Sequence, residues 1–183
     1  NGEVIPTTQD NVQLQIEYQS GEVVVGEHIL DEEITELKQI KSVQLIPAAH
    51  ITPAAKQAIE AADMIVIGPG DYYASLSAAL LPEGIQAAFQ NTKAKIVYMV
   101  NLMTRFTQTH EMTACQHVQG IEALIGRPVT DIVMNNQSIP QEVLQLYADS
   151  QEFPVEDDLQ TDQRVHRASL LSDKLAEKMS VDT

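Results

Sequence analysis

Ala62-Asp63-Met64-Ile65-Val66-Ile67-Gly68-Pro69-Gly70-Asp71-Tyr72-Tyr73-Ala74-Ser75 carries the pattern that decides the fold. An apolar run from Met64 to Ile67 stops at Gly68-Pro69-Gly70. Two tyrosines, an alanine and a serine then lead into an Ala- and Leu-rich segment. The order is strand, tight loop, helix. An unbroken apolar run is the pattern of a central parallel strand buried on both faces. Ligand sites of open α/β sheets lie beyond the carboxyl ends of such strands. A loop entering a helix also presents free N–H groups that favour anions. A small anionic ligand is therefore expected at this loop first.

The pattern repeats downstream. Ala94 to Asn101 is a second buried strand, and Val129 to Met134 a third. Between them lie a helix within Leu76 to Gln90, broken near Pro82-Glu83-Gly84, and a helix from Thr113 to Ile125. In the second helix Ala114, Val118, Ile121, Leu124 and Ile125 share a face, and Gly126 sits where a C-terminal cap belongs. Pro53 opens a helix through Ala61, and Pro140 precedes one from Gln141 to Ala148. Strand–helix alternation implies right-handed crossovers and a parallel sheet with helices on both faces.

Upstream the rhythm differs. Val12, Leu14, Ile16 and Tyr18 alternate with polar residues, Gln19-Ser20-Gly21 is a turn, and Val23 and Val25 resume the alternation. That is an antiparallel hairpin. Ser42 to Ile46 reads as a short strand. At the far end, Gln151 to Asp162 is an acidic loop, Val165 to Leu171 a short strand and Ser172 to Met179 a helix. The expected fold class is α/β: a three-layer αβα, Rossmann-like, mostly parallel sheet, with an antiparallel hairpin near the N-terminus. The chain reads as one domain over 1–183, with a hairpin region at 1–47, a ligand-loop core at 48–150 and an acidic C-terminal region at 151–183. It begins with Asn1 rather than Met and opens close to a strand. The domain is therefore expected to be incomplete at its N-terminus.

With 11 Lys+Arg against 26 Asp+Glu the formal net charge is −15. Such a surface repels nucleic-acid phosphates and anionic membranes, so neither is expected as a partner. No apolar run approaches the ~20 residues of a membrane span. Cys115 is the only cysteine, which fits a reducing cytoplasm. His117 stands two residues on, a spacing that points the two side chains apart on a helix. Cys115 is read as a buried, inert thiol.

The chemistry is less decided. Gly68-Pro69-Gly70 is neither a Walker loop nor the three-glycine dinucleotide fingerprint. A plain turn would want the same residues, since Gly supplies φ > 0 and Pro fixes its own φ. Asp71, Tyr72, Tyr73 and Ser75 add hydrogen-bonding groups, and a tyrosine can stack on a base or sugar. Asn101 and Thr104 should emerge at the same sheet edge as Gly68. Arg105 either grips phosphate there or pairs with a neighbouring carboxylate. His110, Glu111 and His117 lack metal-ligand spacing, so no metal is assigned; His117 caps, lines the pocket or packs. His28, His50 and His166 have no companions. Ser75 lacks a nucleophile elbow.

Gly68-Pro69-Gly70-Asp71-Tyr72-Tyr73-Ala74-Ser75 resembles the "GPGSLYTS" segment of the gluconeogenesis factor family, which is related to 2-phospho-L-lactate transferase. Val97 to Thr104 resembles its "VYVCNIMT" strand and loop. Thr109 and Thr113-Ala114-Cys115-Gln116-His117-Val118 resemble its "ETDGYTASDHV" stretch, and Asn1 to Pro6 resembles a segment well inside the family's chain. The likeness runs from Asn1 to about Ala148. Departures fall at Asp71-Tyr72, Arg105-Phe106-Thr107, His110 and Gln116. The family's N-terminal G-G-G-T-G loop and its Asp/Gly/Ser-rich second loop have no counterpart, so the chain resembles the C-terminal part of the family.

The resemblance implies a cytoplasmic bacterial protein that binds a nucleotide-sugar of the UDP-N-acetylglucosamine type, tied to cell-wall supply and cell shape. It implies a binder with no settled reaction, so whether the protein catalyses anything stays open. The alternative is a transferase moving a phospholactyl group from a nucleotide-activated donor to a deazaflavin. The residues and the resemblance together give the expected ligand-binding set Gly68, Pro69, Gly70, Asp71, Tyr73, Ser75, Asn101, Thr104, Arg105, Thr109 and His117. Within it, Arg105 or the N–H groups of Gly70 and Asp71 meet phosphate, Tyr73 meets base or sugar, and Asn101 and Thr104 position the ligand. No cofactor or catalytic residue is assigned, and self-association into a homo-oligomer stays open.

Overall fold

The computed structural model describes residues 2–26, 30 and 36–171. Asn1, His28 and the helix expected at Ser172 to Met179 lie outside them.

Strands β1 (Gln13–Tyr18) and β2 (Val23–Val25) form the expected antiparallel hairpin. Its turn needs Gly21, whose φ is 86°. Strand β3 (Ile40–Ile46) begins before the expected Ser42 and pairs antiparallel with the other side of β1. The result is a separate three-stranded sheet of order β2-β1-β3. Leu14, Ile16, Tyr18 and Leu30 form its small core, and Val43, Leu45, Ala74, Ala78 and Leu81 pack against it.

Helix α1 (Pro53–Ala61) starts where Thr52 Oγ1 accepts from the Ala55 N–H at 3.1 Å, with Pro53 at the first turn. Strands β4 (Met64–Ile67), β5 (Lys95–Met99), β6 (Asp131–Asn135) and β7 (Val165–Ala168) then form a parallel sheet in that order. A one-turn π-helix at Tyr72–Ser77 runs into α2 (Ala78–Leu80), and α3 (Ile85–Asn91) follows the break at Pro82-Glu83-Gly84. The helical segment thus starts at Tyr72, ahead of the expected Leu76, because the Asp71 carbonyl accepts from both Ser75 N and Leu76 N.

Helix α4 (Ala114–Ile125) has a full capping box: Thr113 Oγ1 accepts from Gln116 N, and Gln116 Oε1 accepts from Thr113 N. Gly126 ends it with φ 71°. Helix α5 (Gln141–Asp149) follows Pro140.

Sequential strand order with right-handed crossovers sends connecting helices to one side. Ile85 and Phe89 of α3 and Ala114, Val118, Ile121 and Ile125 of α4 accordingly join Ile67, Ile96, Tyr98, Ile132 and Met134 in one core. Fully burying such a side chain is worth about 1.5–3 kcal/mol. The other face of β4 is open: Met64 is 57% and Val66 54% exposed. Burial of β4 on both faces is therefore corrected. An apolar run does not say how many faces are covered: α3 and α4 pack on one face of the sheet, and among the described strands β4 also has only β5 as neighbour.

Arg164 fastens α4 to the entry of β7. It donates to Asp162 Oδ2 at 2.7 Å, Glu122 Oε1 at 2.6 Å and the Val129 carbonyl at 3.2 Å. Glu122 also accepts from Val129 N. Arg164→Met keeps the apolar stem and removes these bonds. We expect a loss of about 1–2 kcal/mol in urea denaturation, from charged hydrogen bonds at a partly exposed site.

Candidate functional site

Three loops leave the carboxyl ends of β4, β5 and β6 side by side. The first is Gly68-Pro69-Gly70-Asp71. Gly68 has φ 80°, and the Gly68–Pro69 bond is cis. A Cβ at Gly68 would lie 3.0 Å from the Met99 carbonyl oxygen, so glycine lets the loop lie directly against β5. The second loop begins at Asn101, whose Nδ2 donates to the Gly70 carbonyl at 2.9 Å. Its Oδ1 is enclosed and has no hydrogen-bond partner among the described residues. The third loop, Asn136-Gln137-Ser138, follows Asn135 at the end of β6.

Asn101 and the third loop line a cleft of about 250 Å³ with Val100, Leu102, Met134, Ile139, Leu144, Pro154 and Val155. The reading of the sequence missed Asn135 to Ser138. The signal was present: a polar residue closing an apolar strand and three more directly after it, at the same edge as Gly68 and Asn101.

Arg105 sits beside the first loop. Its Nη1 is 3.4 Å from Asp71 Oδ1, and both side chains are part-exposed. Burial raises the Glu152 carboxyl above its ordinary 4.5, while the nearby Arg105 charge opposes that rise and the Asp71 charge adds to it. Arg105 thus pairs with a carboxylate, as one reading expected, at the place where the other expected phosphate.

The remaining residues of the implied set divide by burial. Ser75 is exposed and Tyr73 half-buried. Tyr72 is 3% exposed and donates from its hydroxyl to the His117 carbonyl at 3.0 Å. Thr104 is buried, and its hydroxyl accepts from Phe153 N. Thr109 is buried, and its hydroxyl accepts from Arg105 N. Both threonines hold the second loop in shape. His117 is fully enclosed with Nδ1 at 2.8 Å from the Thr113 carbonyl, which assigns the proton to that nitrogen. Burial lowers its pKa and keeps it neutral. Cys115 is half-buried rather than enclosed, and its Sγ accepts from Gln119 Nε2 at 3.2 Å. Among the described residues no group of three His, Cys, Asp or Glu could hold a metal, and no helix is long and apolar enough to cross a membrane.

The arrangement brings the Gly68–Asp71 loop and the Arg105 guanidinium together at one end of the sheet, with an amide-lined cleft at the ends of β5 and β6. Known proteins resemble this chain along most of its length. The sequence model of the family "2-phospho-L-lactate transferase CofD" matches residues 1–175. The gluconeogenesis factor of Bacillus subtilis is 34% identical over 161 residues, covering 87% of this chain and 50% of that protein. The gluconeogenesis factor of Listeria innocua is 32% identical over 145 residues, covering 78% of this chain and 44% of that one. The chain therefore spans half or less of these relatives' length. A crystal structure of a UPF0052-family protein from Bacillus halodurans superposes with a TM-score of 0.86 at 30% identity, covering 99% of this chain and 61% of that one.

Proposed function

This chain belongs to the 2-phospho-L-lactate transferase CofD family and has gluconeogenesis factors among its relatives; from that premise we propose that it binds a nucleotide-sugar of the UDP-N-acetylglucosamine type at the carboxyl edge of the parallel sheet. The observation that carries this reading is Asn101. Its Nδ2 ties the β5 loop to the Gly70 carbonyl, while its Oδ1 waits without a donor beside the amide-lined cleft. A sugar hydroxyl or acetamido N–H supplies that donor. The diphosphate meets the Gly70 and Asp71 N–H groups and Arg105, whose planar fork suits phosphate oxygens. In the whole protein this binding would serve cell-wall precursor supply and cell shape, in the cytoplasm and without turnover of the ligand.

Calorimetry on the natural full-length protein tests the reading. UDP-N-acetylglucosamine should bind, and Arg105→Ala and Tyr73→Ala should each weaken it at least about tenfold, the equivalent of about 1.4 kcal/mol. Absence of binding overturns the reading. Unchanged affinity in both variants overturns the residue assignment.

Glu152 gives the site a pH dependence. Its raised pKa means that the folded protein holds this proton more tightly than the unfolded chain. The associated stability is present at low pH and lost as pH rises through the folded value. The negative charge that appears then also opposes the ligand's diphosphate, which is ionised throughout. Affinity should fall by roughly fivefold as pH rises through that point, from a Coulomb cost of order 1 kcal/mol. Glu152→Gln should flatten the profile; an equally steep profile in that variant refutes the assignment.

The family match itself favours a second reading, a transferase. An acceptor hydroxyl would bond to the lactyl phosphorus as the phosphoanhydride bond breaks, releasing nucleoside monophosphate and passing its proton to solvent. Incubation of the full-length protein with a deazaflavin and nucleotide-activated lactate, read by mass spectrometry, decides for it or against it.

A further inference from the structure

A second cleft, of about 320 Å³, opens between the antiparallel sheet and the loop that follows Arg105. Gln39, Gln108, Gln116, Tyr73, Phe106 and His110 are among its walls. Gln108 is 7% exposed. Its Oε1 accepts from the backbone N–H groups of Tyr73 at 3.1 Å and Ala74 at 3.4 Å. Flipping the amide would set NH₂ against two N–H donors, so its orientation is fixed. Nε2 is therefore turned away from the π-helical turn, and it is enclosed with no acceptor among the described residues. Nδ1 of His110 is likewise enclosed and without a partner. The His110 ring is held edge-on to Phe106 at 5.2 Å.

A buried donor that the fold leaves unmatched is costly, and a ligand carbonyl is its natural acceptor. The walls are mainly amide, aromatic and aliphatic and include the Glu111 carboxylate, which disfavours an anion. The one lysine on them, Lys38, is already held by Glu22 at 2.9 Å. Such a surface suits a flat neutral ring better than a phosphate. Tyr73 also lies two residues from Asp71, at most about 7 Å along the chain. A ligand with phosphate at Asp71 can therefore place its next group here.

We propose that this cleft holds the base of the nucleotide, a ring carbonyl accepting from Gln108 Nε2, with Tyr73 and Phe106 against the ring. The proposal rests on the nucleotide reading above and deepens it. A one-ring base such as uracil brings that carbonyl to the Gln108 donor, whereas adenine has only ring nitrogens to offer it, on a larger two-ring frame, and is expected to fit less well.

The test uses the natural full-length protein. Gln108→Glu keeps an oxygen for the Tyr73 and Ala74 N–H groups and replaces the donor by an anionic acceptor. In calorimetry UDP should outbind ADP at least tenfold, and Gln108→Glu should reduce that preference below threefold. In ¹⁵N-glutamine-labelled wild-type protein, the Gln108 side-chain amide should shift with uridine and not with adenosine. That readout stands even where the variant fails to fold. If UDP-N-acetylglucosamine binds but UDP and ADP bind alike, or if Gln108→Glu keeps the preference, the base placement is overturned and the nucleotide reading survives. If UDP-N-acetylglucosamine does not bind, the nucleotide reading fails. An unmoved Gln108 amide with uridine then overturns the cleft as well, whereas a shift retains it as a nucleoside site.

Discussion

Gly120→Ala in the middle of α4 should destabilise the protein by about 2–3 kcal/mol, although the same change on an exposed helix is stabilising by about 1 kcal/mol. The reversal comes from Tyr72. A methyl at residue 120 would overlap the Tyr72 hydroxyl and lie 3.2 Å from its Cζ. Tyr72 is enclosed, donates to the His117 carbonyl, and stands edge-on to both Tyr73 and His117 at 5.0 Å. It cannot move without losing a buried hydrogen bond, at about 1–3 kcal/mol. Overpacking costs a further ~1–3 kcal/mol, so the helix-propensity gain is outweighed. Urea denaturation reads the effect. Tyr72→Phe removes the clashing oxygen, so the double variant should lose less than the sum of the singles. A stabilised Gly120→Ala protein, or strict additivity, contradicts this packing.

Gly68→Ala should cost about 2–3 kcal/mol and weaken UDP-N-acetylglucosamine at least about tenfold. The left-handed conformation at φ 80° accounts for about 1–2 kcal/mol in a residue with a Cβ. The remainder comes from the 3.0 Å approach to the Met99 carbonyl. That oxygen belongs to a strand and cannot give way, so the loop carrying Gly70 and Asp71 must move. Gly70→Ala is the control. Its φ is not positive, and its Cβ would meet the flexible Leu76 side chain at 3.4 Å and Ser75 Cβ at 3.9 Å, ordinary contacts, so its stability should change by less than about 1 kcal/mol. Denaturation and calorimetry on both variants separate loop strain from a general intolerance of bulk. Equal stability losses in the two would refute the argument.

These two glycines show where the sequence was legible. Gly126 was readable as a helix cap, because capping is local. The β1–β2 hairpin and the α4 face were readable for the same reason, since period and turn chemistry lie within a few residues. Gly120 was not readable as a packing site, because Tyr72 arrives from another element. The exposed face of β4 was hidden similarly: an apolar run looks the same whether one face or both are covered, and only the side on which the helices pack separates the two cases. β3 looked like a short strand from its alternation, but nothing local assigns it to a second sheet with β1. The placing of Gly68, Asn101 and Arg105 at one edge of the sheet was legible because each lies in the loop that leaves an apolar strand. Asn136 to Ser138 met the same condition and were passed over. Gln108 was beyond reach, because its meaning lies in two backbone N–H groups far along the chain.

The central claim is that the phosphates of a nucleotide-sugar lie on the Gly70–Asp71 turn. The most direct measurement is a titration of the ¹⁵N-labelled full-length protein with UDP-N-acetylglucosamine, following the backbone amides of Gly70 and Asp71 and the side-chain amide of Asn101. The account predicts saturable shifts of all three at one common affinity, lost in Arg105→Ala. Saturation that leaves Gly70 and Asp71 unmoved, or no binding at all, would contradict it.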